Sequence, residues 1–326
     1  MTGKNRNNLI VDEPTVCFGF DGCFSEVITG SDSHIGTREY QQDALYVTET
    51  AIGDPTVPLK AFGVLCDGMG GLEDGEKASR IAVENLAAAL GGFACDSEVD
   101  RFFVDEIHRL DGIVRAECGE RGEGGEAGGD TAYANGGAGA GGAGQGRNPN
   151  DPVEDGAPNA AGSSDRKTGA PKSGTTLTAA LIYGDRLHWA SVGDSRIYIL
   201  RGGDIVQVSR DHNYSMLLRE YVRQGRMEAD DAESHPMRGA LVSFIGSGNV
   251  RYIDTNRTPF ALESGDIVLL CSDGLVKSLA DEEIQDVVNA GYGDMASAAK
   301  SLTLAAFDKG SGSKDNISVI LMQYFI

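Results

Sequence analysis

Residues 176–208 read TLTAALIYGDRLHWASVGDSRIYILRGGDIVQV, a stretch in which apolar segments alternate with turn residues. The apolar segments cover residues 176–183, 186–192, 196–200 and 205–208. Between them stand turn-forming pairs such as Gly184-Asp185 and Gly202-Gly203, the second followed by Asp204. Segments of this length, rich in β-branched and aromatic residues and separated by short turns, are typical of antiparallel strands. We therefore expect a meander of four strands here.

The same periodicity predicts the elements on either side of this stretch. Further strands are expected at residues 24–29, 44–48, 60–66, 241–245, 267–271 and 317–323. Helices are expected at about residues 76–90, 99–117, 214–223, 228–233, 281–289 and 294–307. Strands in hairpin order with helices in pairs favour antiparallel sheets covered by helices over a parallel doubly wound sheet.

Four aspartates stand at the edges of apolar runs: Asp67, Asp194 and Asp273 follow such runs, and Asp315 precedes one. Carboxylates that are brought together repel one another and raise each other's pKa unless a cation neutralises them. Oxygen-rich sites of this kind suit magnesium or manganese. Taken singly, each aspartate is ordinary turn punctuation after a strand. Taken together, the four predict one acidic, metal-holding rim.

Composition excludes several classes of function. The chain has 326 residues, 40% of them hydrophobic, and a formal charge of −21. Nucleic acids and anionic membranes require clustered Lys and Arg, which the sequence lacks. The six cysteines show no metal-binding or disulfide-scaffold spacing, so a reducing compartment is expected. No run is long enough to span a membrane and the polar start has no signal-peptide core, so we expect a cytoplasmic protein. We also expect a monomer.

Residues 119–172 differ in composition from the rest of the chain. They consist mainly of Gly, Ala, Asp, Glu, Asn and Pro, and the larger apolar residues among them are Tyr133 and Val153. A segment that offers so little apolar surface is typical of disorder. We therefore expect an N-terminal extension at residues 1–27 and a single domain at residues 28–326, interrupted by a disordered Gly/Ala-rich insertion at residues 119–172.

Six motifs in order resemble the metal-dependent protein phosphatases of type 2C, in their bacterial-type branch. They are Arg38-Glu-Tyr-Gln-Gln-Asp43-Ala, Asp67-Gly-Met-Gly-Gly71, Ser173-Gly-Thr-Thr176, Val192-Gly-Asp-Ser-Arg196, Cys271-Ser-Asp-Gly274 and Lys314-Asp-Asn316. The resemblance extends from about Ile28 to the C-terminus, without the insertion. It implies an α+β fold, a four-layer α-β-β-α sandwich of two antiparallel sheets flanked by helices. It also implies two magnesium or manganese ions at one edge and hydrolysis of phosphoserine and phosphothreonine in proteins.

The resemblance assigns the metal ligands residue by residue. Asp67 matches the carboxylate that bridges two ions, and the Gly68 carbonyl completes one coordination shell. Asp273 and Asp315 match the ligands of the other ion, and Asp194 matches the residue that holds a weaker third ion together with Asp273. Two cations about 4 Å apart can lower the pKa of a water between them and orient it towards phosphorus.

The resemblance also assigns the polar groups around the ions. Asp43 matches an acceptor for metal-bound water, and Arg38 matches the guanidinium that binds the substrate phosphate, for which its planar fork is suited. Thr176 and Asn316 match supporting polar residues. Two departures stand out. Met69 replaces the histidine that follows Asp-Gly in the eukaryotic branch, which leaves the general acid unassigned, and Gln42 replaces a glutamate of many members.

The implied partners are phosphorylated proteins and a cognate serine/threonine kinase. Two alternatives remain at this point. A catalytically weak relative that binds phosphoproteins is disfavoured because every metal-holding aspartate is present. A phosphatase of small molecules would need the same acidic rim, and activity on a phosphopeptide compared with small phosphate esters distinguishes the two substrates.

Overall fold

The computed structural model describes residues 25–53, 58–70, 72–93, 98–118, 173–310, 312 and 314–326. The predicted insertion at residues 119–172 and nearly all of the predicted extension at residues 1–27 lie outside these ranges. In the described part of the chain, no helix has both the length and the apolar composition needed to cross a membrane.

The elements are numbered in chain order. The strands are β1 (Glu26–His34), β2 (Asp43–Val47), β3 (Ala51–Ile52), β4 (Lys60–Gly70), β5 (Ser173–Thr175), β6 (Leu177–Tyr183), β7 (Arg186–Val192), β8 (Arg196–Arg201), β9 (Asp204–Gln207), β10 (Asp254–Thr255), β11 (Phe260–Ala261), β12 (Ile267–Cys271) and β13 (Ile317–Phe325). The helices are α1 (Leu72–Gly92), α2 (Val99–Cys118), α3 (Tyr214–Arg223), α4 (Ala229–Glu233), α5 (Asp273–Val276), α6 (Asp281–Ala290) and α7 (Met295–Lys309).

Within the described ranges the strands form two antiparallel sheets. The first has the order β3-β1-β13-β12-β8-β9. The second has the order β10-β7-β6-β4-β2, with β11 paired to β7 and β5 paired to β4. Strand β4 precedes residues 119–172 and pairs with β6, which follows them. The second sheet is therefore built from both halves of the chain.

The two sheets and two layers of helices pack on one another through three apolar cores. The central core lies between the sheets and includes Leu65 of the second sheet and Leu270 of the first. A second core packs α1 and α2 against the second sheet, and a third packs α6 and α7 against the first. Because the inner strands are covered on both faces, they read as nearly continuous apolar runs rather than alternating ones. The predicted α-β-β-α sandwich is confirmed.

The helices owe their positions to helical spacing of small and apolar residues. In α1 the fully buried apolar residues recur every four positions, which places them on one face against the sheet. They are Ala78, Ala82, Leu86 and Leu90. In α7 the first turn lies so close to β1 that a Cβ at Gly30 would come within 2.2 Å of the Met295 backbone. Small residues at such contacts set the spacing between helix and sheet.

Three expectations about the elements need correction. The predicted meander is wrong, because β6 and β7 lie in one sheet while β8 and β9 lie in the other. The predicted strand at residues 241–245 is wrong, since this segment makes only isolated bridges, Thr175 to Ile245 and Asn213 to Leu241. Strand β1 begins at Glu26 with Val27 fully buried, so these two residues belong with the domain rather than with the extension.

Candidate metal centre

Five aspartates lie at one edge of the sandwich. Asp43 begins β2 and pairs in register with Asp67 of β4 in the second sheet. In the first sheet, Asp273 follows β12 and Asp315 precedes the neighbouring strand β13. Asp194 lies in the turn between β7 and β8. The Asp67 carboxylate interacts electrostatically with the other four, so the structure brings together all the predicted acidic residues.

The turn that carries Asp194 passes from one sheet to the other. Gly193 has a φ of +106°, and a Cβ at this position would lie 2.6 Å from the Thr176 side chain. Glycine is therefore required by both conformation and space. His212 holds the same residue from the other side, because its backbone N–H donates to the Gly193 carbonyl at 2.7 Å. These contacts fix where the Asp194 backbone stands.

The backbone of Asp67 is held by two threonines that follow the insertion. The Asp67 carbonyl accepts hydrogen bonds from the Thr176 N–H at 2.8 Å and from the Thr175 hydroxyl at 2.9 Å. The Asp67 N–H donates to the Thr176 hydroxyl oxygen at 2.9 Å. That oxygen also lies 2.8 Å from the Ser195 hydroxyl, next to Asp194. Thr176 thus ties together two of the acidic turns, as its predicted supporting role requires.

Gly68 lies where no larger residue fits. A Cβ there would come within 2.1 Å of the Gly75 carbonyl oxygen and 2.6 Å of the Gln42 carbonyl oxygen. Its N–H donates to the Gln42 carbonyl at 3.0 Å. The close approach of three backbone segments therefore explains the glycine after Asp67 on steric grounds alone.

Asn316 connects the loop that carries Arg38 to the acidic cluster. Its side-chain oxygen accepts from the Gln42 N–H at 2.8 Å. Its side-chain nitrogen donates to the carbonyls of Ile35 and Tyr40 at 2.8 and 3.1 Å. Because Asn316 adjoins Asp315, these bonds fix the Arg38 loop relative to that carboxylate.

Two cationic side chains reach the carboxylates. Arg38 places a guanidinium nitrogen 2.9 Å from Asp315 Oδ1, with its side chain 34% exposed. Lys277 places Nζ 2.5 Å from Asp273 Oδ2 and 3.2 Å from Asp315 Oδ2. The sequence analysis identified Arg38 and missed Lys277. The four-residue spacing from Asp273 to Lys277 was a usable signal, because residues so spaced face each other on a helix.

Burial and mutual repulsion raise the pKa of three carboxyl groups. Burial first, and then the charges of Asp273 and Asp315, raise the pKa of Asp43 to about 7. Burial and the charge of Asp273 raise the pKa of Asp194 to about 7. Burial raises the pKa of Asp67 far above its usual value, and the other four aspartates raise it further. Raised pKa values of this kind favour the binding of a cation, which would stabilise the charged forms of these groups.

The two carboxylates nearest the cations, Asp273 and Asp315, differ from each other in the direction of their pKa shifts. For Asp273, burial outweighs the attraction of Lys277, so the pKa is raised. For Asp315, burial acts in the same direction, but Lys277 and Arg38 together hold the pKa below its usual value. The cluster is therefore partly neutralised on the side of Asp315 and not on the side of Asp43.

The donor set suits a hard divalent cation. Both Asp43 oxygens and Asp273 Oδ1 are buried without a hydrogen bond of standard geometry to any described residue, although the Ser272 and Ser318 hydroxyls lie close enough to Asp43 to offset its burial in part. Among the described residues, no three acidic, imidazole or thiol groups converge into a ready-made ligand cage. Buried carboxylates without partners are nevertheless the ligands that magnesium and manganese prefer. The residues present thus fit a metal pair.

Comparisons with known proteins identify the family of the chain. A family model described as protein phosphatase 2C matches residues 31–305. Protein phosphatase PhpP of Streptococcus pneumoniae is 36% identical over 149 residues, which are 46% of this chain and 57% of that protein. Serine/threonine phosphatase stp of Listeria monocytogenes is 33% identical over 150 residues, 46% of this chain and 56% of that protein. The matched segment thus spans a little over half of the length of these relatives.

Solved structures share the whole fold. A serine/threonine phosphatase of S. agalactiae superposes with a TM-score of 0.65 at 25% identity, over 92% of this chain and 99% of that one. The catalytic domain of the phosphatase PstP, solved with two manganese ions, gives a TM-score of 0.61 at 21% identity, over 93% of this chain and 100% of that one. At this identity the second likeness establishes the fold alone.

Proposed function

The chain belongs to the protein phosphatase 2C family, and from that premise we propose that it hydrolyses phosphoserine and phosphothreonine in proteins with the help of two divalent metal ions. The observation that carries the proposal is the cluster of five aspartates at one edge of the sandwich, four of them with raised pKa values. A group of buried carboxylates that repel one another lowers the stability of the fold. A metal site accounts for such a group, because bound cations would offset the repulsion.

We assign the metal ligands as follows. Asp67 and the Gly68 carbonyl, with Asp273 and Asp315, would hold two magnesium or manganese ions, and Asp194 with Asp273 would hold a weaker third. Bound ions of this kind would supply a water of lowered pKa for attack on phosphorus. The threonine contacts described above keep Asp67 in place for this task.

Arg38 binds the substrate phosphate. Its guanidinium carries five N–H donors, and the pair with Asp315 leaves others for phosphate oxygens. The side chain is only partly buried, so a substrate can reach it. The bonds that Asn316 makes to Ile35 and Tyr40 orient the loop around Arg38 before substrate arrives.

Asp43 accepts a hydrogen bond from water. It is buried, and neither carboxylate oxygen has a hydrogen bond of standard geometry to a described residue. Either oxygen can therefore take a hydrogen bond from a water beside Asp67 and hold it in one orientation. The side chain of Met69 cannot donate a proton, so no side chain is assigned as the acid for the leaving oxygen.

The finer assignments follow from the same proposal. The substrates are phosphorylated proteins made by a serine/threonine kinase, and the enzyme acts as a monomer in the cytoplasm. The catalytic domain runs from about residue 26 to residue 326, and residues 119–172 are an insertion that the chemistry does not use.

The test compares a phosphothreonine peptide with p-nitrophenyl phosphate, with and without manganese. We expect turnover only with added manganese or magnesium, loss of turnover in excess chelator, and a higher kcat/KM for the peptide.

Asp273→Asn should remove nearly all turnover. Asp194→Ala should remove less, because Asp194 is assigned only to the weaker ion. Asp286→Asn, at an exposed position of α6, is the control for loss of one carboxylate.

The outcomes separate the alternatives. Full turnover in excess chelator contradicts the metal mechanism. Metal-dependent turnover of p-nitrophenyl phosphate without turnover of phosphopeptides indicates a phosphatase of small molecules. Manganese binding without any turnover indicates a phosphoprotein-binding relative.

A further inference from the structure

Lys277 sits against two of the proposed metal ligands. It follows α5, which Asp273 begins, so the four-residue spacing turns its side chain back towards that carboxylate. Nζ lies 2.5 Å from Asp273 Oδ2 and 3.2 Å from Asp315 Oδ2. One ammonium group therefore bridges two carboxylates that stand 42 residues apart in the sequence.

Both carboxylate oxygens of Asp315 already accept hydrogen bonds from described residues. Oδ1 accepts from the Arg38 guanidinium at 2.9 Å and from the Asn316 N–H at 3.0 Å. Oδ2 accepts from Lys277. A metal ion that binds Asp315 must share or displace one of these donors. Of the two carboxylates, Arg38 forms an ion pair with Asp315, whereas Lys277 forms ion pairs with both.

We propose that Lys277 is a resident counter-cation that competes with the metal ions for Asp273 and Asp315. The proposal rests on the proposed metal centre and deepens it. The ammonium neutralises repulsion between the two carboxylates when no divalent ion is bound. It also repels an incoming divalent ion, whether or not it moves aside. Lys277 thereby lowers the metal affinity of the site and stabilises the domain in the absence of metal.

Lys277→Met tests this, because methionine keeps most of the aliphatic chain and removes the charge. Manganese binding is measured by calorimetry on the full chain without substrate. We expect affinity to rise by a factor on the order of ten, since affinity for hard cations follows the net charge of the site. Lys277→Arg keeps the charge and should bind manganese as the wild type does. Lys277→Gln, which retains a polar end, should follow Lys277→Met.

Lys309→Met is the matched control. Lys309 is 51% exposed and pairs with Glu283, whereas Lys277 is 54% exposed and pairs with the cluster. Replacing Lys309 removes one surface charge without affecting an assigned metal ligand, so manganese affinity should not change.

A second measurement separates competition from a merely structural contact. In chelator, Lys277→Met should melt below the wild type, because Asp273 and Asp315 lose their counter-ion. In manganese, the deficit should shrink or reverse, because the ions replace the ammonium. A structural contact alone would lower the melting temperature equally in both conditions.

The results decide between the inference and the metal centre. If the wild type binds manganese and Lys277→Met binds it no more tightly than Lys309→Met, the inference is wrong while the metal centre stands. An equal melting deficit with and without manganese also overturns it. If the wild type binds no manganese, the proposed metal centre fails and the inference fails with it.

Discussion

At the scale of single residues, Asp43 shows most clearly how the acidic cluster lowers the stability of the folded protein. It is buried, and no charged partner among the described residues offsets the loss of hydration. Burial, with the charges of Asp273 and Asp315, raises its pKa from 3.8 to about 7. Between these two values the folded protein binds a proton that the unfolded chain does not. Stability therefore falls as the pH rises through this window, by up to roughly 1.4 kcal/mol per pH unit for a single group.

Asp43→Asn removes this titration while keeping the shape of the side chain. In chelator, we expect the variant to be more stable than the wild type at pH 8, where the wild type carries a buried charge. The advantage should shrink by pH 5, where Asp43 is protonated in the folded wild type. Urea unfolding at both pH values measures the difference. An advantage that does not depend on pH would show that the Asp43 pKa is not raised.

At the scale of elements, helix α2 supports the acidic edge from behind. Asp111 of α2 accepts from the N–H groups of Gly246 and Gly248 at 2.7 and 3.0 Å. The neighbouring Ile245 pairs with Thr175 through two backbone hydrogen bonds of 3.0 and 2.9 Å. The Thr175 hydroxyl in turn donates to the Asp67 carbonyl. A helix outside the site thus reaches Asp67, a proposed metal ligand, through one loop and one short strand.

Asp111→Ala should leave these two N–H groups without their acceptor. We expect a loss of about 2 kcal/mol in the free energy of unfolding, because the lost partner of a buried donor costs about 1–3 kcal/mol. Gly246 is buried and bears this cost, whereas Gly248 is exposed and its N–H can bind water instead. Asp105→Ala on the same helix is the control. Its side chain is 70% exposed, and within the described ranges its carboxylate forms an ion pair with Arg101 alone, so the loss should stay within about 0.5 kcal/mol. Urea unfolding measures both, and equal losses would contradict the role of Asp111.

At the scale of the whole molecule, residues 119–172 divide a single sandwich. Strand β4 before them pairs with β6 after them, and the core between the sheets draws on both sides. The residues that flank the segment touch each other, because the Ser173 hydroxyl donates to the Cys118 carbonyl at 3.3 Å. A short connection can therefore join α2 to β5.

Replacing residues 122–170 with a short Gly-Ser linker should leave the melting temperature and the turnover of p-nitrophenyl phosphate close to those of the full chain. The segment has almost no apolar surface to bury, and the entropy of loop closure depends only logarithmically on length. A full-length variant with the segment shuffled is the control and should behave like the wild type. A large drop in melting temperature in either variant would show that the segment contributes ordered structure.

Local pattern predicted antiparallel sheets covered by helices and most of the elements, and the resemblance carried by the six motifs implied the four-layer sandwich. The predicted bounds of β7, β12 and α3 coincide with the observed ones. Periodicity, turn residues and burial on both faces are properties of a few consecutive residues, so they are legible in one sequence. Four of the aspartates were recognisable for the same reason, because each stands at the edge of an apolar run: Asp67, Asp194, Asp273 and Asp315. Asp43 was identified only through the family resemblance.

Contacts between distant segments were decided only by the tertiary structure. The turn at Gly193 is compatible with a hairpin or with a crossing between sheets, and only the packing of the two sheets selects the crossing. Residues 241–245 read as a strand but find only single bridges, because Asp111 of α2 holds the adjoining loop. Lys277 could be linked to Asp273 from spacing, but its contact with Asp315 arises because β12 and β13 are neighbours. Sequence pattern records what each segment prefers, and the packing of the segments decides which charges meet.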